Sequence, residues 1–92
     1  MKISFDPAKH ERALRERGLD LRRAAEVFGG RVLTLEDARK DYGETRFQTY
    51  GWLDGRIVVV VWTQRADARH VISMRYCHER EAKRARERMD RS

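Results

Sequence analysis

Arg46-Phe47-Gln48-Thr49-Tyr50-Gly51-Trp52-Leu53-Asp54-Gly55-Arg56-Ile57-Val58-Val59-Val60-Val61-Trp62-Thr63 is the stretch that decides the fold. Both halves are rich in β-branched and aromatic residues, and Asp-Gly between them is a strong short signal for a two-residue hairpin turn. The turn sets the register. Leu53 lies opposite Arg56, Trp52 opposite Ile57, Tyr50 opposite Val59, Gln48 opposite Val61 and Arg46 opposite Thr63. Directly opposed residues share a face of the sheet.

Downstream, Gln64 to Ala68 read as a short loop and Arg69 to Tyr76 as a third strand. If Gln64 pairs with Ala68, Arg69 falls opposite Thr63, Ser73 opposite Val59 and Arg75 opposite Ile57. One face then carries Phe47, Thr49, Leu53, Val58, Val60, Trp62, His70, Ile72, Met74 and Tyr76, and is expected to be the core. His70 on that face reads as a core or edge histidine. The other face carries Arg46, Gln48, Tyr50, Trp52, Thr63, Arg69, Ser73 and Arg75 over a floor of Ile57, Val59 and Val61, and is expected to meet solvent.

Upstream, Ile3 and Phe5 mark a brief strand. Asp6-Pro7 opens a helix, since Asp caps and Pro at the first helical position forfeits no bond, and Gly18 closes it. Ala13 and Leu14 are its expected anchors. Asp20 caps a second helix whose Leu21, Ala24, Ala25 and Phe28 share a face, ending at Gly29-Gly30. Val32-Leu33 suggest a short strand, and Glu36 to Thr45 a loop. From His78 onward the chain is helix-forming and charged, with Ala82, Ala85 and Met89 as its apolar positions. The order predicts one α+β domain over residues 1–92, with a mainly antiparallel sheet, two N-terminal helices on one face and a C-terminal helix.

The chain has 92 residues with 21 Lys+Arg against 15 Asp+Glu, a net charge of +6. A basic surface favours anionic partners such as RNA, DNA or an acidic protein. The longest apolar run, Ile57 to Trp62, is far below membrane-spanning length. The N-terminal residues carry no signal-like core, and the lone Cys77 fits a reducing cytosol, so a cytoplasmic protein with no membrane partner is expected. One cysteine and three unpaired histidines, His10, His70 and His78, give no metal-ligand spacing, so neither metal nor cofactor is expected.

Arginine forks grip phosphate by two hydrogen bonds, which lysine cannot match. Arg46, Arg69 and Arg75 on one face, with Arg65 in the adjoining loop, therefore predict an anion-binding surface. Tyr50 and Trp52 read first as filling the sheet edge over Ile57 and Val59, with base stacking as the alternative. A solvated strand face with scattered ion pairs is the plainer alternative. Glu81 is placed near the strand end bearing Arg75.

Asp6-Pro7-Ala8-Lys9, Leu14-Arg15, Gly18-Leu19, Tyr42-Gly43-Glu44 with Arg46-Phe47, Thr63-x-Arg65, and Ile72-Ser73-Met74-Arg75 followed by Glu81 resemble the BrnT-type ribonuclease toxins of bacterial type II toxin–antitoxin pairs. The resemblance covers nearly the whole chain. It implies a RelE-like α+β fold, RNA cleavage that inhibits translation, and neutralisation by a BrnA-type antitoxin, through which alone the toxin reaches DNA. Three positions depart from the usual pattern. Arg17 and Lys40 stand where histidines are common, and Ala13 where asparagine is.

For such a metal-free reaction the substrate's 2′-hydroxyl attacks the adjacent phosphorus. Arg46, Arg65, Arg75 and Lys9 are the expected phosphate clamp, with Glu44 or Glu81 as base. Thr63, Arg69, Tyr50, Trp52 and Arg17 are the expected RNA contacts. A basic RNA- or ribosome-binding module without catalysis, and a degenerate toxin kept for antitoxin binding, remain the competing readings.

Overall fold

Asp54 and Gly55 both take left-handed backbone angles, φ 51° and 77°, so the chain reverses in two residues. Strands β3 (Phe47–Leu53) and β4 (Arg56–Arg65) follow with Leu53 opposite Arg56 and Gln48 opposite Val61, the register the turn dictates. The computed structural model describes residues 1–91 and arranges them around this hairpin. Strands β1 (Lys2–Phe5), β2 (Leu33–Glu36) and β5 (Ala68–Tyr76) complete a five-stranded sheet of order β1-β5-β4-β3-β2. Only β1 runs parallel to its neighbour, β5. The fold is α+β with a mainly antiparallel sheet, as the element order predicts.

Helix α1 (Pro7–Arg17) starts at Asp6, whose carboxylate accepts the Ala8 N–H at 2.8 Å, and stops at Gly18, φ 67°. Leu21–Arg23 form a 3₁₀ turn leading into α2 (Ala24–Gly29). One face of the sheet packs beneath these segments. Ala13, Leu19, Leu21, Val27 and Phe28 meet Leu53, Val58, Val60, Trp62, Val71 and Met74 in one cluster. Leu14, expected as an anchor of α1, is 42% exposed, so Ala13 alone buries that helix's stripe. The Trp62 indole N–H donates to the Thr49 hydroxyl at 2.8 Å, which satisfies both inside the core.

Helix α3 (Glu79–Arg91) lies on the opposite face. Ala82, Ala85 and Met89 pack on Ile57, Val59 and Cys77, with Tyr50 and Leu33 at the margin. The face expected to meet solvent is therefore half covered, because the floor of Ile57 and Val59 is too apolar to leave wet.

The second turn corrects the expected register. Ala66 and Asp67 form it, with Ala66 at φ 51°, so Arg65 pairs with Ala68 and Gln64 with Arg69. The pairing then slips: Trp62 faces Val71 while Val61 faces Ser73, leaving Ile72 as an extra residue in β5. Such a bulge reverses the faces of everything on one side of it. Ser73 and Arg75 stay on the face expected, opposite Val61 and Val59. Arg69 moves to the helix-covered face, where its guanidinium lies 4.5 Å from the Phe28 ring and 4.6 Å from Trp62. His70, expected in the core, moves to the other face, opposite Thr63.

Two consequences of this packing are measurable. A Cβ at Gly51 would stand 2.7 Å from Val27 Cγ1 and 3.2 Å from Val32 Cγ1. Gly51→Ala should cost about 1–3 kcal/mol in urea unfolding, the usual price of overpacking; an unchanged midpoint would show that α2 does not press on β3. Burial pushes the Cys77 thiol up to about 12, with Glu81 adding to the effect. Native protein at pH 8 should resist a thiol reagent that labels the unfolded chain promptly, and rapid native labelling would contradict the α3 packing.

Candidate active site

The segment between β2 and β3 folds around one buried carboxylate. Asp37 is 6% exposed and accepts two hydrogen bonds from the Arg39 guanidinium, each at 2.8 Å. These bonds hold its carboxyl below the usual range despite burial. Tyr42 donates its hydroxyl to the same carboxylate at 3.4 Å, and the Asp37 N–H donates to the Arg46 carbonyl at 2.7 Å. Gly43 turns the chain at φ 75°. The Thr63 hydroxyl donates to the Thr45 carbonyl at 2.6 Å and ties the segment to β4.

This frame delivers Glu44 and Arg46 to the half of the sheet face that α3 leaves open. The Arg46 guanidinium lies 3.9 Å over the Tyr42 ring, and its Nε donates to Glu44 Oε2 at 3.2 Å. Arg65, from the end of β4, brings Nη2 to 3.6 Å from Glu44 Oε1. Glu44 thus stands between two guanidinium groups, its side chain 29% exposed.

The neighbouring strands add the remaining groups. Ser4 and His70 are paired across β1 and β5, and the Ser4 hydroxyl lies 2.8 Å from His70 Nδ1. Burial holds the His70 imidazole below its ordinary pKa of 6.5, and Arg65 and Lys9 push the same way against Glu44 and Asp6. Lys9 and Asp6, at the start of α1, are thus close enough to bear on the ring's charge. Glu44, Arg46, Arg65 and His70 thus share this corner, with Lys9 and Asp6 within electrostatic reach of the ring.

Arg75 and Glu81 form a separate pair. Nη1 and Nη2 donate to the two carboxylate oxygens at 2.7 and 2.9 Å, which raises the arginine and holds the Glu81 carboxyl down. Arg75 faces Val59, four residues along β4 from Thr63. At roughly 3.3 Å per residue that is ~13 Å of strand. The four expected clamp residues are therefore not one cluster. Arg46 and Arg65 come together with Glu44, Lys9 is close enough for its charge to bear on His70, and Arg75 stays with Glu81 under the first turn of α3.

The expected RNA contacts fare differently. Thr63 is 3% exposed with its hydroxyl proton committed to Thr45, so it braces the loop rather than reaching a phosphate. Arg69 lies on the far side of the sheet. Tyr50 is half-buried beside α3, where burial raises its phenol pKa. Trp52 is 40% exposed but faces Ile57 near the hairpin turn, ~20 Å of strand from Thr63. Arg17 donates to the Met74 carbonyl at 3.2 Å, at the end of α1.

His70, Ser4 and Tyr42 belong to the corner but were not among the residues expected there. The sequence alone did not place His70, because its face follows from a bulge that the burial of its neighbours reveals. Val71 and Met74 are both fully buried in the one core, yet three apart. A regular strand cannot send both to one face, so an extra residue must lie between them.

Among the described residues, no group of three or more His, Cys, Asp or Glu side chains is arranged to hold a metal ion. No helix among them is long and apolar enough to cross a membrane. No curated protein matches the sequence. Residues 5–81 match the sequence model of a family described as the ribonuclease toxin, BrnT, of type II toxin-antitoxin system. With its α+β sheet carrying an arginine-lined corner, and that match running over most of its length, the chain belongs to the BrnT family of ribonuclease toxins.

Proposed function

We propose that this chain is an endoribonuclease that cleaves RNA without a metal, inhibits translation by doing so, and is neutralised by a BrnA-type antitoxin. The observation that carries the reading is Glu44 between Arg46 and Arg65, 3.2 and 3.6 Å away, on the uncovered corner of the sheet.

Arg46, Arg65 and Lys9 hold the scissile phosphate. The two guanidinium groups can each present a planar fork to its oxygens, and Lys9 adds a point charge. Glu44 fixes both arginines before substrate arrives, so little reorganisation is needed as charge builds on the phosphoryl oxygens. The nucleophile is the substrate's own 2′-hydroxyl, which leaves the protein to align the strand and neutralise charge. Glu81 is not a suitable base, because both of its oxygens are bound by Arg75 and its carboxyl is held low. Its part is to orient Arg75 toward a neighbouring phosphate of the same strand. The antitoxin is a protein, and the net charge of +6 suits an acidic contact surface on it. DNA is reached only through that partner.

Arg46→Ala and Arg65→Ala should each slow RNA cleavage by about 10²–10³-fold with the thermal midpoint unchanged, and should relieve growth inhibition at equal protein level. Wild-type rates in both would remove this corner from the reaction. A 2′-deoxy sugar at the cut nucleotide should block cleavage of an otherwise identical strand, while EDTA should leave cleavage of the all-ribose strand unaffected. Cutting of the deoxy-substituted strand at the same rate would overturn the 2′-hydroxyl mechanism, and loss of activity in EDTA would overturn metal independence.

A further inference from the structure

We propose that His70 is the proton acceptor of the cleavage step, with Nε2 taking the proton of the attacking 2′-hydroxyl and Ser4 positioning the ring. The inference rests on the ribonuclease reading and deepens it.

The bulge at Ile72 turns His70 onto the face that carries Arg46 and Arg65, opposite Thr63. The ring is half-buried, and its Nδ1 lies 2.8 Å from the Ser4 hydroxyl. With Nδ1–H donating to that hydroxyl oxygen, Nε2 keeps its lone pair. Nε2 makes no hydrogen bond among the described residues. The two carboxylates of the reading are otherwise engaged. Glu44 meets Arg46 and Arg65, and Glu81 meets Arg75. Among the described residues, the His70 imidazole has no carboxylate or cation bonded to it, whereas the Glu44 and Glu81 carboxylates are each paired with arginine.

The charged groups facing the ring are Arg65 from β4, Glu44 from the β2–β3 segment, and Lys9 and Asp6 from the start of α1. Burial, Arg65 and Lys9 lower the ring's pKa, which favours its neutral form. A bound phosphate offsets the positive charge of Arg65 and Lys9, which makes the ring more basic when substrate is present. The balance of the step is simple. The 2′-oxygen loses its proton to Nε2 and bonds to phosphorus as the bond from phosphorus to the 5′-oxygen breaks. The departing oxygen takes a proton from water. The products are a 2′,3′-cyclic phosphate and a 5′-hydroxyl, and the imidazolium returns its proton to solvent.

The test uses the full chain and a short RNA of defined sequence. His70→Gln should lower kcat by at least about 10²-fold, a typical general-base contribution, while a non-cleavable 2′-deoxy strand binds as before. The wild-type kcat/KM should rise with pH through a midpoint below the ordinary histidine value of 6.5 and then level off. That limb should vanish in His70→Gln, and added imidazole should restore part of the activity of His70→Ala. Ser4→Ala, a milder change, should lower kcat with KM unmoved. If His70→Gln cleaves at the wild-type rate with the same pH limb, His70 is not the acceptor although the ribonuclease reading stands. If the wild type leaves RNA intact, both fall. If His70→Gln fails to fold, an unchanged pH limb and kcat in Ser4→Ala together with no imidazole rescue of His70→Ala would overturn the proposal.

Discussion

Val71 and Met74 both require the interior, and a regular strand can bury only one of them on a given face. The single extra residue between them, Ile72, resolves that conflict by shifting β5 against β4. Much of the chemistry of the molecule depends on the shift. Without it Arg69 would sit at the open corner and His70 beneath α2. With it, the guanidinium of Arg69 is spent on the faces of Phe28 and Trp62, and an imidazole stands beside Arg65. A packing demand in the core thereby selects which titratable group faces solvent.

The sheet works as two unequal surfaces. One is sealed by the segments from α1 to α2. The other is divided, with α3 covering Ile57 and Val59 and leaving the ends of β3, β4 and β5 exposed. The division sorts the arginines by circumstance. Arg75, at the boundary, is neutralised by a two-point pair with Glu81. Arg46 and Arg65 share a single carboxylate, so positive charge remains in excess at the open corner, with Lys9 nearby. In the proposed reading an anion favours that corner over the Arg75–Glu81 pair, because the pair is locally neutralised and the corner is not.

The hairpin was legible because Asp54-Gly55 is one of the few turns whose chemistry fixes both its length and its register. The caps at Asp6, Gly18 and Asp20 and the apolar triad of α3 were legible for the same reason, as local rules with local causes. The second turn was not. Ala66 adopts a left-handed angle that alanine seldom takes, and neither glycine nor asparagine marks the place. The coverage of the second face by α3 is a tertiary preference of Ile57 and Val59 that no local pattern states. Of the corner, Arg46 and Arg65 were singled out from residue type and strand order, and Lys9 and Glu44 only through the family resemblance. His70 was not, since its face depends on the bulge. Thr63 was assigned to the substrate, whereas its hydroxyl serves the loop that carries Glu44.

The central claim is that a corner of two arginines, a lysine and one carboxylate turns the substrate's own sugar hydroxyl against its neighbouring phosphate. The most direct test is the identity of the ends left on a defined RNA by the purified protein, read by mass spectrometry. The account predicts a 2′,3′-cyclic phosphate on one fragment and a 5′-hydroxyl on the other. Fragments ending in a 3′-hydroxyl and a 5′-phosphate would contradict it, because they require water, not the ribose, to have attacked.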